Sequence, residues 1–324
     1  MKEDLVRRYN ELLKPSGALV NEMASLEGDI IILGIGGKMG PALARLARQA
    51  IDIAGVSKKV IGVARFSDPG LQHELEQHGV QTIKADLLDD RALQALPELP
   101  NVLYLAGQKF GTTGKEPFTW AMNTYLPGRV ADKFKHARIV VFSTGNVYPF
   151  VPLESGGAKE TNLPDPVGEY AQSCLGRERM FQYFASINRT PLVIYRLNYA
   201  NDVTYGVLLE IGRAVKEKRP IDLRMGFVNV IWQNDANEIA IRALRHCSYP
   251  EKILNVTGSE TLSVRWIAEE FGKVFHEQPV FINEEQPTAL LSNAAESVKI
   301  FGHPRVSVSE MIDLIAEWIS AGGK

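Results

Sequence analysis

One short segment of the sequence has a glycine at every third position, directly after an apolar run at residues 30 to 33. The spacing GxxGxxG falls on Gly34, Gly37 and Gly40, and a helix is predicted over residues 38 to 53. Glycine lets the backbone turn tightly and approach a ligand closely, and the first N–H groups of a helix have no partner within it. These features predict a turn that binds the diphosphate of a dinucleotide. The residues predicted to form this turn are Gly34, Gly36, Gly37, Lys38, Met39 and Gly40.

The end of the second predicted strand indicates which dinucleotide binds. An acidic residue there would accept hydrogen bonds from the adenosine ribose, but this chain has Arg65, followed by Phe66 and Ser67. A guanidinium and a hydroxyl suit a ribose 2′-phosphate, and Lys38 in the turn adds a second positive charge. We therefore expect NADP to be favoured over NAD. The alternative interpretation is that Arg65 is a solvated residue at the end of a strand.

The glycine turn must be positioned by strands and helices, and the pattern of apolar runs predicts where they lie. Short β-branched runs alternate with longer amphipathic stretches, which is typical of parallel strands covered on both faces by helices. The runs lie at residues 30 to 33, 60 to 64, 81 to 83, 102 to 106, 138 to 143 and 192 to 197. The predicted fold class is therefore α/β, a doubly wound parallel sheet of the Rossmann type.

The chain is predicted to have three regions. Residues 1 to 28 form an N-terminal helical extension, residues 29 to 198 the dinucleotide-binding domain, and residues 199 to 324 a smaller C-terminal substrate lobe interwoven with that domain. In this lobe the periodicity predicts helices at 203 to 216, 234 to 246, 263 to 275 and 307 to 319, and a strand at 227 to 231. A ligand is expected between the lobe and the carboxyl ends of the strands.

Composition narrows the range of partners. With 36 basic and 38 acidic residues the net charge is −2, which favours a small molecule over nucleic acid or an anionic membrane. No segment has the length and apolarity of a signal peptide or a membrane span. Cys174 and Cys247 form neither a disulfide nor a zinc pattern, and the six histidines are scattered, so no metal site is expected. A reducing, cytoplasmic location is predicted.

Further motifs follow successive strands in a fixed order. Asp86-Leu87 follows the third strand, Leu105-Ala106-Gly107 the fourth, and Ser143-Thr144-Gly145-Asn146-Val147-Tyr148 the fifth; then come Tyr170-Ala171-Gln172-Ser173, Arg196-Leu197-Asn198-Tyr199, Phe227-Val228-Asn229-Val230 and Leu254-Asn255-Val256-Thr257-Gly258. With the glycine turn and Asn123, this order resembles the extended short-chain dehydrogenase/reductases, the NAD-dependent epimerase/dehydratase family. The resemblance runs from residue 29 to the C-terminus.

The resemblance implies an oxidoreductase or epimerase that acts on a hydroxyl or keto carbon of a sugar-like substrate. In such enzymes a tyrosine exchanges a proton with the substrate oxygen, a hydroxyl holds that oxygen, and hydride passes between carbon and nicotinamide. The residues implied for catalysis are Tyr170, Thr144 and Asn123, and those implied to contact the cofactor are Asp86, Leu87, Leu105, Ala106, Gly107, Tyr170 and Asn198. Relatives often form homodimers through helices of the fourth and fifth crossovers, so a homodimer is also expected.

One position departs from the family pattern YxxxK. Cys174 stands four residues after Tyr170, where the family has a lysine that binds the nicotinamide ribose and lowers the pKa of the tyrosine. Without a nearby cation a phenol titrates near about 10. Another cation would have to substitute, and the candidates are Lys109, which follows the cofactor-lining segment, and Arg177, two helical turns beyond Tyr170. We expect Lys109 to be the better placed and include it among the catalytic residues.

Two further interpretations of Cys174 stay open. A reactive thiolate would need a cationic setting or a helix N-terminus, so a small buried thiol is the favoured interpretation. The other interpretation is that catalysis has been lost with the lysine, so that the fold serves as a non-catalytic dinucleotide-binding sensor or scaffold. The retention of Thr144, Asn123 and Tyr170 together favours the enzyme.

Overall fold

The computed structural model describes residues 2 to 109 and 111 to 323. Strands are numbered in chain order: β1 (Ile30–Leu33), β2 (Val60–Ala64), β3 (Gln81–Lys84), β4 (Asn101–Tyr104), β5 (Arg138–Thr144), β6 (Val151–Pro152), β7 (Leu192–Leu197), β8 (Ala200–Asn201), β9 (Pro220–Asp222), β10 (Phe227–Val228), β11 (Ile231–Trp232), β12 (Lys252–Val256), β13 (Leu262–Ser263), β14 (Val280–Ile282) and β15 (Thr288–Ala289). Seven of them form one parallel sheet in the order β12-β7-β5-β4-β1-β2-β3. The predicted doubly wound sheet is therefore confirmed.

The helices cover both faces of this sheet. In chain order they are α1 (Lys2–Leu12), α2 (Gly17–Ser25), α3 (Gly40–Ile53), α4 (Pro69–Gln77), α5 (Asp90–Gln94), α6 (Glu116–Trp120), α7 (Leu126–Lys133), α8 (Gly168–Asn188), α9 (Val207–Lys216), α10 (Gln233–Arg242), α11 (Val264–Phe275), α12 (Ala295–Phe301) and α13 (Val308–Ser320). A π-helical turn at Ala121–Tyr125 joins α6 to α7. The longest, α8, carries the tyrosine singled out by the sequence.

The side chains of β1 show why both faces must be covered. All four residues of this strand are buried. Ile30 and Ile32 belong to the apolar cluster that includes α2, α3 and α10, whereas Ile31 and Leu33 belong to the cluster that includes α7 and α8. Successive side chains of a strand point to opposite faces, so an unbroken apolar run needs a helical layer on each side.

The C-terminal residues form a second apolar core and also complete the sheet. Helices α9, α11 and α13 pack together around Phe271, and Leu5 of α1 joins the same cluster. However, β12 returns to the main sheet and pairs with β7. The N-terminal extension contains two helices: α1 packs on the C-terminal core, and α2 packs against α3 and α10. The boundary between the dinucleotide-binding domain and the C-terminal lobe at residues 198 and 199 stays a prediction.

Most predicted elements of the second region lie within a few residues of the observed ones. The predicted helix at 203 to 216 begins at Val207, because residues 202 to 206 form a turn in which Asp202 and Tyr205 pair through their backbones. The predicted strand at 227 to 231 is divided into β10 and β11, which pair with different partners.

Candidate active site

Two glycines of the turn are required by the turn itself. Gly34 has φ +91°, and a Cβ there would lie 2.5 Å from the backbone nitrogen of Ala106. At Gly40, the first residue of α3, a Cβ would collide with the backbone carbonyl of Ile35. A side chain at either position would force the strand, the turn and the helix apart. This close approach aims the N-terminus of α3 at the carboxyl edge of the sheet.

The middle of the turn is open. A Cβ on Gly37 would have only the carbonyl oxygen of Gly34 near it, at 3.6 Å, and Gly36 faces Ala64 at 3.3 Å. Met39 is the N-cap residue of α3, and its side chain makes no capping hydrogen bond. The N-terminus of α3 is therefore available to an anion, and Lys38 lies beside it. These residues fit the diphosphate of a dinucleotide.

Two adjoining cavities flank the turn and form one cleft. The larger has a volume of about 760 Å³ and the smaller about 380 Å³. Both are lined by Gly34, Gly36, Gly37, Leu71, Leu105 and Gly107. All predicted cofactor residues border one or both: the larger is lined by Lys38, Met39, Gly40, Tyr170 and Asn198, the smaller by Arg65, Asp86, Leu87 and Ala106. Asn123, although predicted to be catalytic, is fully buried behind the cleft.

The smaller cavity, at the end of β2, contains both signs of charge. Arg65 is exposed at its edge, and Asp68 and Asp86 line the same cavity. Asp68 caps α4 by accepting a hydrogen bond from the backbone N–H of Gly70 at 2.8 Å. Carboxylates accept hydrogen bonds from ribose hydroxyls and repel a 2′-phosphate. Asp68 directly follows Arg65-Phe66-Ser67 in the chain and was not among the predicted cofactor residues.

The larger cavity contains the predicted reactive pair. Thr144 ends β5, and its Oγ1 donates to Oδ1 of Asn146 at 3.0 Å and accepts from the Asn146 backbone N–H at 3.2 Å. Tyr170 lies in the first turn of α8, and its side chain lines the same cavity as that of Thr144. Burial and the neighbouring Cys174 raise the pKa of the Tyr170 phenol, whereas the charge of Arg177 and the nearby Thr144 side chain lower this pKa. The structure thus brings the two residues together at one end of the cleft.

Cys174 lies one helical turn after Tyr170 and is fully buried. Its neighbours are Val147, Tyr148 and Ala158, and burial raises the pKa of its thiol. A thiol in such surroundings stays protonated, which favours the small buried thiol over a reactive thiolate.

The two candidate cations lie at different depths. Lys109 is exposed at the larger cavity, where its Nζ donates to Tyr205 Oη at 2.9 Å. Arg177 is 6% exposed and lines the same cavity. Its Nη1 donates to the Phe142 carbonyl at 2.7 Å. Lys109 therefore joins the loop after β4 to the loop before α9, while Arg177 lies beneath the site.

The buried side chain of Asn123 links the loop after β4 to α8 through hydrogen bonds. Its Nδ2 donates to the Gln108 carbonyl at 2.9 Å and to Ser173 Oγ at 3.0 Å. Its Oδ1 accepts from the Gln108 backbone N–H and from Nη2 of Arg177, both at 2.8 Å. Asn123 thus fixes the segment after Gly107 and the guanidinium of Arg177. It lies in the π-helical turn, a distortion that is frequent at functional sites.

Several residues of the site were not predicted. Ser143, Asn146, Tyr199 and Tyr205 line the larger cavity. Asn146 and Tyr199 belong to motifs quoted from the sequence, so their place in those motifs was an available signal. Tyr205 had no such signal, because its position depends on the turn at residues 202 to 206.

Neither a protein-family model nor a curated protein matches the chain, but solved structures do. The UDP-glucose 4-epimerase of Thermotoga maritima with UDP-glucose has a TM-score of 0.73 and 13% identity, covering 91% of this chain and 99% of that one. The UDP-glucuronic acid 4-epimerase of Bacillus cereus with UDP-glucuronic acid and NAD has a TM-score of 0.72 and 20% identity, covering 90% and 99%. MoeE5 with UDP-glucose and NAD has a TM-score of 0.72 and 17% identity, covering 91% and 99%.

The expected preference for NADP over NAD is wrong. MoeE5 and the Bacillus cereus epimerase are both in complex with NAD. The physical reason lies in the smaller cavity, where Asp68 and Asp86 offset the single charge of Arg65.

Within residues 2 to 109 and 111 to 323, no helix is long and apolar enough to cross a membrane. Over the same residues, no group of three or more His, Cys, Asp or Glu side chains is arranged to hold a metal ion. The resemblance seen in the sequence is confirmed at the level of the fold: the chain has the fold of MoeE5 and of these two 4-epimerases.

Proposed function

We propose that this chain is an NAD-dependent enzyme that oxidises and reduces a hydroxyl or keto carbon of a sugar nucleotide, as an epimerase or dehydrogenase. The observation that carries the proposal is that Tyr170 and Thr144 together line the cleft that begins at the open glycine turn. A proton-transferring group and a dinucleotide site in one cleft are what such a reaction requires.

Under this proposal, some residues of the cleft bind the cofactor and others act on the substrate. The diphosphate is bound by Gly36, Gly37, Lys38 and Met39, and the adenine is flanked by Asp86 and Leu87. The rest of the cofactor site is lined by Leu105, Ala106, Gly107 and Asn198. NAD supplies a hydride acceptor and donor. Tyr170 exchanges a proton with the substrate oxygen, Thr144 hydrogen-bonds that oxygen, and Asn123 holds the wall of the cleft in position. Lys109 contacts the substrate at the mouth of the cleft.

The structural neighbours support the substrate class. MoeE5 and the two epimerases are in complex with UDP-glucose or UDP-glucuronic acid. The larger cavity, of about 760 Å³, is bordered by polar side chains that include Asn146, Asn198 and Tyr205. Such groups satisfy the hydroxyls of a sugar.

The proposal is tested by comparing the native protein with Tyr170→Phe. NADH and NADPH binding is measured first by fluorescence, and NADH should bind more tightly. UDP-glucose and UDP-glucuronic acid are then incubated with NAD, and the products are followed by NMR. Tyr170→Phe should lose about 100-fold or more in turnover with little change in NADH affinity. The control is Tyr183→Phe, an exposed tyrosine of the same helix. Equal turnover by native protein and Tyr170→Phe would refute the assignment.

A second function, a non-catalytic dinucleotide sensor, is favoured by Cys174 in place of the family lysine. It predicts tight NADH binding with no turnover of either sugar nucleotide by the native protein. The same assay therefore separates the two functions.

We also propose a homodimer, and a cytoplasmic location stays a prediction. Exposed apolar side chains lie on α6, the π-helical turn and α8, which pack together with α7: Phe118, Trp120, Tyr125 and Ile187. Burying them in a second copy would remove apolar surface from water. Sedimentation equilibrium of native protein and of Ile187→Glu tests this, because the charge should favour the monomer.

A further inference from the structure

Arg177 is held in one position by two hydrogen bonds from different elements. It lies seven residues after Tyr170, which is two turns along the same face of α8, and helical side chains lean towards the N-terminus of their helix. Nη1 donates to the carbonyl of Phe142 on β5, and Nη2 donates to Oδ1 of Asn123 in the π-helical turn. The guanidinium therefore lies between α8 and the sheet, next to the end of β5 that carries Thr144.

No carboxylate among the described residues forms an ion pair with Arg177. Both of its hydrogen-bond acceptors are neutral, and Nε is buried with no partner among the described residues. Glu178 is adjacent in sequence, but its two oxygens accept from Nε and Nη2 of Arg196 at 2.9 and 2.6 Å. None of the ion pairs within residues 2 to 109 and 111 to 323 includes Arg177. A buried cation without a counter-charge costs several kcal/mol unless a negative charge forms beside it.

The larger cavity is where that negative charge would form. Arg177, Tyr170 and Thr144 line the same cavity, so an ionised phenol in it would be adjacent to the guanidinium. We propose that Arg177, and not Lys109, replaces the family lysine as the cation that stabilises the ionised phenol of Tyr170, while Cys174 fills the space of the missing lysine. This inference rests on the proposed function, in which Tyr170 exchanges the proton.

The charges around Tyr170 agree with this. Burial and Cys174 raise the pKa of its phenol, and among the charged groups that act on it Arg177 lowers the pKa. The Thr144 side chain, at the end of β5, also lowers it. Lys109 is engaged by Tyr205 at the mouth of the cavity. Arg177 is thus a positioning residue that acts through the ionisation of Tyr170.

The test measures that ionisation without turnover. The phenolate absorbance of the NAD complex is titrated, and the difference between native protein and Tyr170→Phe gives the titration midpoint of Tyr170. Arg177→Gln should raise this midpoint by about one unit or more, because an opposite charge nearby shifts a pKa by about 1 to 3 units. Arg177→Lys keeps the charge and should stay near the native midpoint, although it cannot make both hydrogen bonds and should lower thermal stability.

Three further variants give the experiment its controls. Arg179→Gln changes an exposed arginine of the same helix and should leave the midpoint unchanged. Lys109→Gln tests the competing cation and should also leave it unchanged. Cys174→Lys added to Arg177→Gln restores the family arrangement and should return the midpoint towards the native value.

The inference is overturned if folded Arg177→Gln titrates like the native protein. It is also overturned if only Lys109→Gln shifts the midpoint, or if Tyr170 of the native NAD complex stays un-ionised until the protein unfolds. Because the titration needs only NAD, an absence of sugar-nucleotide turnover would contradict the proposed function and leave this result standing.

Discussion

The guanidinium of Arg177 occupies the space that a side chain on Gly107 would need. A Cβ on Gly107 would collide with Nη2 of Arg177 and lie 2.9 Å from Oδ1 of Asn123. The glycine after β4 and the arginine on α8 are 70 positions apart in the sequence and depend on each other. The small residue at the wall of the cleft is what allows a cation to be buried beneath it.

The first prediction concerns this pair. Gly107→Ala should force Arg177 or Asn123 to move and lower the free energy of unfolding by about 1–3 kcal/mol, as overpacking does. Urea unfolding measures the change. The control is Gly17→Ala at the start of α2, where a Cβ meets nothing within 4 Å and φ is not positive. Equal stability of both variants would show that Arg177 is not confined as described.

The second prediction separates the two kinds of glycine in the turn. Gly40→Ala should destabilise the protein, because the new Cβ collides with the carbonyl of Ile35. Gly37→Ala should keep the stability of the native protein and weaken NADH binding at least about tenfold, because its Cβ enters the cleft where a diphosphate approaches the backbone. Thermal unfolding and fluorescence titration measure the two effects. Unchanged NADH affinity in Gly37→Ala would contradict the diphosphate site.

The third prediction concerns the buried ion pair beside the site. Glu178 and Arg196 are 0% and 1% exposed, and Ser143 Oγ also donates to the carboxylate at 2.5 Å. Glu178→Gln should lower the free energy of unfolding by about 3–5 kcal/mol, because it leaves Arg196 buried without a counter-charge. Glu210→Gln is the matched control, since its ion pair with Arg213 lies at the surface. Similar denaturation midpoints for the two variants would disprove the role of the pair.

The fourth prediction concerns alkaline stability. Tyr104 is fully buried, and its hydroxyl has no hydrogen-bond partner among the described residues. Burial raises the pKa of this phenol above its ordinary 10.0, so the folded protein holds the proton more tightly than the unfolded chain. The stability that results is present below about pH 10 and is lost as the pH rises above that value.

Tyr104→Phe should therefore reduce the fall in Tm between about pH 8 and about pH 11. At neutral pH its stability should equal or exceed that of the native protein by up to about 1 kcal/mol, because the ring contact with Phe181 stays and only an unpaired hydroxyl is lost. Exposed Tyr183 provides the control, and Tyr183→Phe should behave like the native protein. A steeper alkaline loss in Tyr104→Phe would refute the argument.

Much of the architecture was predictable, because periodicity is a local property of the chain. The run Ile30–Leu33 is apolar at every position, and only a strand covered on both faces uses such a run, which is how β1 lies in the sheet. The glycine spacing likewise predicted a turn at the N-terminus of α3, because φ and close backbone approach depend on residues that are neighbours in sequence. The expected cofactor was wrong because it depended on local residues, Arg65, Ser67 and Lys38, whereas Asp86 is brought to the same cavity only by the pairing of β2 with β3.

By itself, the sequence determined six of the seven strands of the main sheet, the glycine turn and the identity of the residues available for chemistry, whereas β12 was not predicted as a strand. The sequence favoured Lys109 over Arg177 as the cation near Tyr170, because Lys109 follows the cofactor-lining segment. Tertiary packing decided where each cation lies: β5 and the π-helical turn provide two neutral acceptors that hold Arg177 inside, whereas Tyr205 holds Lys109 at the mouth. The burial of a side chain and the charged groups around it depend on segments far apart in the chain, and only the folded structure brings those segments together.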